Sequence, residues 1–97
     1  MSARVRKTHR AEKDIHRIAH QISRDSLTAA VNWLDELDQK LKIIGESPGI
    51  GTERSDLRRR IRSYAFGNYL IFFKPTKTVV VILRVIHGAR DYKRLFE

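Results

Sequence analysis

The sequence predicts an α+β domain in which a helical hairpin covers one face of a mostly antiparallel sheet. Three observations carry that reading. Apolar residues recur at a helical period through the first half of the chain. After a loop bearing Gly and Pro, the period changes to that of strands. One late segment, "VVVILRVIH" (79–87), is dense enough in β-branched residues to be a central, well-buried strand. The 97 residues make a single domain, 1–97, without repeats or low-complexity segments.

"ARVRKT" (3–8) alternates weakly and reads as an edge or first strand. Thr8 is placed to cap the helix that follows, where Ile15, Ile18, Ala19 and Ile22 recur at i, i+3, i+4 and i+7 over residues 9–23. Ser23 to Ser26 is a polar break, with Asp25 or Ser26 as the next cap. Leu27, Val31, Leu34, Leu37, Leu41 and Ile44 then keep a helical period to about Gly45, completing an αα-hairpin. "ESPGIGTERSDL" (46–57) is a loop. Ile61 to Phe66 and "YLIFFK" (69–74) flank Gly67-Asn68, a two-residue hairpin signal. "PTKT" (75–78) turns the chain into the last strand, and Asp91 is placed to cap a short C-terminal helix over Tyr92 to Phe96. The expected order is β-α-α-β-β-β with that terminal helix.

Composition narrows the setting. The chain has no cysteine, so it offers neither a disulfide nor a thiolate metal site, and a reducing cytoplasm suits it. No apolar run is long enough to span a bilayer, so no membrane role is expected. The net charge of +9 is unevenly divided: residues 1–57 carry +1 and residues 58–97 carry +8. Most of that excess is arginine, which suits planar recognition of phosphates or carboxylates, so a basic face awaiting an acidic partner is expected.

Catalytic chemistry finds little support in the motifs. His16 and His20 share a helix face at i, i+4, but no third ligand accompanies them; surface histidines are the better account, and neither metal nor cofactor is expected. "GIG" (49–51) follows Pro48 with no strand before it, so it reads as turn chemistry rather than a phosphate loop. The serious candidate is metal-independent cleavage of RNA, which needs a base, an acid and cations on the phosphorane. Arg62, Arg84 and Arg90 are candidate phosphate ligands, His87 and Tyr92 candidate proton carriers, and Glu53 a candidate base. Alternation in a regular strand sets Val79, Val81, Leu83, Val85 and His87 on one face and Val80, Ile82, Arg84 and Ile86 on the other. That separates Arg84 from His87. "DLRRRIRSY" (56–64) is the densest basic run, readable either as a solvated strand edge or as an arginine patch for a polyanion or acidic segment.

The order and spacing of "GIGTERSDL", "RRRIRSYAFGNYLIFFKPT" and "VVVILRVIHGARDYKRLF" behind a helical hairpin resembles the ParE branch of the RelE/ParE toxin superfamily. Glu53-Arg54, the hairpin around Gly67, and Arg84 through Asp91 are its most specific pieces. The resemblance implies the RelE/ParE-like α+β fold and a cytoplasmic bacterial toxin neutralised by a ParD-like antitoxin. The acidic C-terminal segment of that antitoxin would wrap the toxin in a hetero-oligomer. It implies a protein inhibitor that poisons DNA gyrase, not an enzyme, with no sequence-specific DNA binding by this chain. The alternative is a RelE-like, ribosome-dependent mRNA interferase, for which Arg62, Arg84, His87 and Tyr92 are the candidate catalytic set. A chain that has lost toxicity and acts only within its complex is a third possibility. For target and antitoxin, the expected surface is Arg58, Arg59, Arg60, Arg62, Arg84, His87, Arg90, Tyr92, Lys93, Arg94 and Phe96.

Overall fold

The computed structural model describes residues 4–58 and 60–96. Its elements run β1 (Arg4–Lys7), α1 (His9–Asp25), α2 (Leu27–Glu46), β2 (Thr52–Glu53), β3 (Arg62–Phe66), β4 (Tyr69–Pro75), β5 (Val79–His87) and a 3₁₀ turn over Lys93–Phe96. The strands form one sheet in the order β1-β5-β4-β3-β2. All pairings are antiparallel except that of β1 with β5, which runs from Arg4 beside Val79 to Lys7 beside Ile82. The expected α+β architecture is present, with one strand more than the sequence reading: β2 is a two-residue strip inside the stretch read as loop.

Capping explains the helical boundaries. Thr8 Oγ1 accepts from the Ala11 amide at 3.1 Å and donates to the Leu83 carbonyl at 3.0 Å, so the cap of α1 also ties it to β5. Ser26 serves both helices. Its amide donates to the Ile22 carbonyl at 3.0 Å, and its Oγ accepts from the Ala29 amide at 3.1 Å. The expected polar break from Ser23 is therefore a single residue, and α1 continues to Asp25. Ser23 is absorbed into the helix by donating its hydroxyl to the His20 carbonyl at 2.6 Å.

The main core lies between the helices and the sheet, where Leu37 and Ile44 of α2 meet Ile71, Phe73, Ile82 and Val85. Here α2 departs from expectation. Ala30, Leu37, Leu41 and Ile44 turn inward, but Leu27, Val31 and Leu34 are 72%, 49% and 37% exposed. The i, i+4, i+7 spacing of those three puts them on one flank of α2, beside the inward stripe and beyond the reach of the sheet.

The opposite face of the sheet is covered too, which the sequence reading did not anticipate. Ile61, Phe72 and Ile86 form a second cluster beneath Leu57, Leu83, Tyr92, Leu95 and Phe96. Phe72, fully buried, lies 5.2 Å from the Tyr92 ring centroid and 5.1 Å from that of Phe96. Burying one such side chain contributes about 2–3 kcal/mol, enough to hold a short C-terminal strap against the sheet.

A bulge in β5 alters the expected alternation. Phe72 pairs with Arg84 and Phe73 with Ile82, leaving Leu83 as the extra residue. Val80, Ile82 and Val85 consequently share the helix-covered side, while Leu83 and Ile86 join the strap side. Grouping Val79, Val81 and Leu83 with Val85 and His87 is thus incorrect. Beyond the bulge the pairing is regular, from Arg84 beside Phe72 to His87 beside Tyr69, so Arg84 and His87 still alternate.

Candidate interaction surface

The most tightly built polar feature comes from the early end of β1. That strand stops at Lys7, and β5 loses its neighbour beyond Ile82. Thr8 and α1 supply the missing partners. The Thr8 amide donates to the Ile82 carbonyl at 3.0 Å, the Thr8 hydroxyl bonds the Leu83 carbonyl, and the Val85 amide donates to Asp14 Oδ2 at 3.1 Å. The same carboxylate receives Arg84 Nε at 2.7 Å and Nη2 at 2.9 Å, with Arg17 Nη2 at 3.3 Å. Asp14 is 1% exposed. Hydrogen bonding to Asp14 raises the Arg84 guanidinium above its ordinary pKa, against the opposing effect of burial. The geometry is bidentate and its remaining acceptor capacity is used, the condition under which a buried pair is tolerated. Arg84 is committed to the fold.

Arg62 is committed as well. From the start of β3 its Nε donates to the Ile50 carbonyl at 3.0 Å, and its Nη2 to those of Gly49 at 2.6 Å and Gly51 at 3.1 Å. It fixes the Gly-Ile-Gly turn that the sequence presented as a loop. Gly51 has φ +83, and a Cβ there would collide with the Ser63 carbonyl, so only glycine fits.

The C-terminal strap is clasped by the loop before β3. Arg54 Nε donates to Ser63 Oγ at 2.8 Å and Nη1 to the Tyr92 hydroxyl at 3.3 Å, with its guanidinium carbon 5.6 Å from the Tyr92 ring centroid. Arg58 Nε donates to the Phe96 carbonyl at 2.8 Å, and Lys93 Nζ stands 3.8 Å from Asp56 on the exposed rim. Tyr92 and Phe96 are half-buried against Phe72. The remaining candidates are solvent-facing. Arg60 is exposed at a left-handed φ of +66; Arg90 and Arg94 are exposed. His87 is exposed at the end of β5, where its Nδ1 accepts from the Ala89 amide at 3.1 Å and its ring meets Tyr69 edge-on at 5.5 Å. Arg59 lies outside the described residues.

These placements scatter the nuclease candidates. Arg62 and His87 follow the helix-covered side of the sheet, in step with Tyr64 and Val85, whereas Tyr92 lies on the strap side and Arg84 turns to α1. Glu53 is exposed on β2. Among the described residues no group of three or more His, Cys, Asp or Glu is placed to hold a metal ion. No helix among them is long and apolar enough to cross a membrane. Asp14 was not singled out from sequence, and Arg54, which clasps the strap side, entered only as part of the family resemblance and without a role. For Asp14 there was a signal: it stands three residues after Ala11 and four before Ile18, a carboxylate on the core face of its helix.

Comparison with known proteins agrees with this geometry. A sequence model described as the ParE toxin of type II toxin-antitoxin system, parDE, matches residues 5–92. Toxin ParE1 of Caulobacter vibrioides is 30% identical over 87 residues, which cover 89% of this chain and 90% of that protein. The fold is similar to a chain of the chromosomal ParDE toxin–antitoxin system from P. aeruginosa, with a TM-score of 0.73 at 16% identity, covering 89% of this chain and 96% of that one. It is also similar to a chain of the RelBE2 toxin–antitoxin complex from Mycobacterium tuberculosis, with a TM-score of 0.60 at 26% identity, covering 93% and 95%.

Proposed function

The chain belongs to the ParE toxin family of type II toxin–antitoxin systems, and from that premise we propose that it arrests bacterial growth by poisoning DNA gyrase in the cytoplasm. It acts as a protein inhibitor, making no covalent bond of its own, and is neutralised by a ParD-like antitoxin. The observation that carries the reading is the family match through residues 5–92. The structure supports it from the chemical side. Two of the four nuclease candidates, Arg62 and Arg84, hold the fold together through loop carbonyls and Asp14, and the set is divided between two faces of the sheet.

An antitoxin needs a surface on which a flexible segment can order itself, and the exposed stripe of Leu27, Val31 and Leu34 on α2 supplies apolar anchors for one. The exposed cations Arg60, Arg90 and Arg94 would speed its approach if the segment is acidic.

The test is direct. Purified protein is added to gyrase with relaxed plasmid and ATP, and in parallel to ribosomes translating a defined mRNA. Loss of supercoiling with trapped cleavage complexes is expected, with the mRNA intact. Unchanged supercoiling with new mRNA ends at ribosomal A-site codons would replace this reading by the mRNA interferase, an alternative that the likeness to the RelBE2 complex leaves open.

A further inference from the structure

The parallel edge strand and the first helix carry cations that the near-neutral charge of residues 1–57 conceals. Val5 packs against the core on the helix-covered side of the sheet, so alternation turns Arg4 and Arg6 to the other face. Arg4 stands beside Val79 and Arg6 beside Val81, and Lys74 of β4 flanks Val81 from the opposite side. Two strand spacings, about 10 Å, therefore separate Arg6 from Lys74 on one exposed surface. Lys74 in turn lines a cavity together with Arg10, at the start of α1.

Along α1 the charge continues. Arg10, Lys13, Arg17 and Arg24 recur at i, i+3, i+7 and i+14, which sets them on one flank of the helix over about 21 Å. All four are exposed. Arg10, Lys13 and Arg17 line a shallow depression with Asp14 and Arg84. Asp14 is buried there and holds Arg84 and the Val85 amide, with Arg17 at 3.3 Å, so one carboxylate faces four cations and the surface stays positive. Glu12, one residue before Lys13, points about 100° away round the helix.

We propose that this band, Arg4, Arg6 and Lys74 on the sheet with Arg10, Lys13 and Arg17 on α1, contacts the phosphate backbone of duplex DNA without reading its sequence. The proposal rests on the gyrase reading and deepens it: the toxin grips the duplex that the enzyme has bound, and so holds enzyme and DNA in one complex. The chemistry of the band selects the duplex. Double-stranded DNA carries one charge per about 1.7 Å of its axis, so about a dozen phosphates lie along a stripe of this length. Single strands are held by stacking their bases on aromatic rings, and the band contains none; Tyr92 and Phe96 are packed against Phe72. An acidic protein segment draws its affinity from buried apolar anchors, whereas Val81, at the centre of the sheet part, is only 8% exposed. Arginines and lysines spread over a sheet face and a helix flank position a backbone and carry no sequence information.

The experiment measures fluorescence anisotropy of labelled duplexes of roughly 20 base pairs, in two unrelated sequences, against the whole chain from about 50 to about 200 mM salt. Binding of both duplexes alike is expected, falling about a hundredfold or more across that range. Arg6→Gln, Lys13→Gln and Lys74→Gln, all at exposed positions, should each weaken it and lower the slope of log K against log salt by about one. Lys42→Gln removes the same charge from an exposed position on α2 and should leave the slope unchanged. Thermal melts check that the four variants remain folded. Three results would each overturn the proposal: binding indifferent to salt, a loss in Lys42→Gln equal to that in the band, or polyglutamate or single-stranded oligonucleotides competing as well as unlabelled duplex. With gyrase present, the triple band variant should need about tenfold more protein to trap the same cleavage complex, and equal trapping would break the link to poisoning. Failure here stays distinct from failure of the gyrase reading, because duplex binding is measured without the enzyme. A chain that poisons gyrase but ignores the duplexes keeps its toxin function and loses the band.

Discussion

Asp14 on α1 and Arg84 on β5, 70 positions apart in the chain, meet through hydrogen bonds of 2.7 and 2.9 Å, and the same carboxylate holds the Val85 amide. The pair closes the part of the sheet edge that β1 leaves uncovered. Asp14→Ala should therefore leave a mostly buried guanidinium without a partner and a buried amide unsatisfied, at a cost of about 3–5 kcal/mol in urea unfolding. A paired apolar replacement, Asp14→Leu with Arg84→Met, should be less damaging than the sum of its singles by about 2 kcal/mol. Strict additivity would show that the contact carries no coupling.

Gly51 and Gly67 both have positive φ, at +83 and +56, yet they should respond differently to alanine. At Gly67, the first residue of the hairpin turn, a Cβ meets nothing within 4 Å, so only the backbone conformation is penalised, by about 1–2 kcal/mol. At Gly51 the Cβ would also strike the Ser63 carbonyl, which belongs to β3 and cannot yield without moving the strand. Gly51→Ala should cost more than about 3 kcal/mol and lower the melting temperature well beyond Gly67→Ala.

How much of this was legible beforehand differs by element. Helix period, the caps Thr8 and Ser26, and the Gly67-Asn68 hairpin are local, and each appears where the residues indicate. The parallel pairing of β1 with β5, the Leu83 bulge and the strap over Phe72 are fixed by contacts between distant segments. No period in the sequence encodes them. The site follows the same division. Arg62 and Arg84 stood out as arginines, but whether a guanidinium faces a ligand or three loop carbonyls depends on where residues 49–51 fold. Charge counting by segment also separated Arg10 and Lys13 from Lys74 and Arg58, which α1 brings to one surface.

Tyr92 separates a structural from a chemical role. Its ring lies against Phe72 while its hydroxyl meets Arg54 at 3.3 Å. Tyr92→Phe keeps the ring and removes one long hydrogen bond, so unfolding should shift by only about 0.5–1 kcal/mol. Gyrase inhibition should be retained. Tyr92→Ala removes the ring from the second core and should cost about 2–3 kcal/mol, loosening the strap. Loss of toxicity in the phenylalanine variant, with folding and antitoxin binding preserved, would restore the case for proton transfer.

His87 offers a parallel test at the other end of β5. Its side chain is exposed, accepting from the Ala89 amide and touching the edge of Tyr69. Exposed positions with a single local hydrogen bond tolerate replacement, so His87→Ala should cost about 1 kcal/mol or less. Supercoiling assays should show inhibition within a few-fold of the parent, because the contacts of this imidazole among the described residues are the Ala89 amide and the Tyr69 ring edge. Abolished toxicity with an unchanged melt would show that the imidazole contacts the target or acts chemically.

The stripe on α2 makes the sharpest separation between folding and partner binding. Leu27, Val31 and Leu34 are 72%, 49% and 37% exposed, so the fold gains less from them than from Leu37 or Ile44 on the inward face. Val31→Asp should change unfolding by no more than about 1 kcal/mol, and Leu27→Ser by less. If the antitoxin lays an apolar face here, each lost anchor forfeits roughly 1.5–3 kcal/mol of buried contact, a weakening of about tenfold or more. The measurement is co-expression with the product of the small neighbouring reading frame, followed by titration of the separated proteins. A folded Val31→Asp chain that binds this product as tightly as the parent would move the antitoxin off α2. A folded variant that escapes it while still poisoning gyrase would place neutralisation and toxicity on separate surfaces.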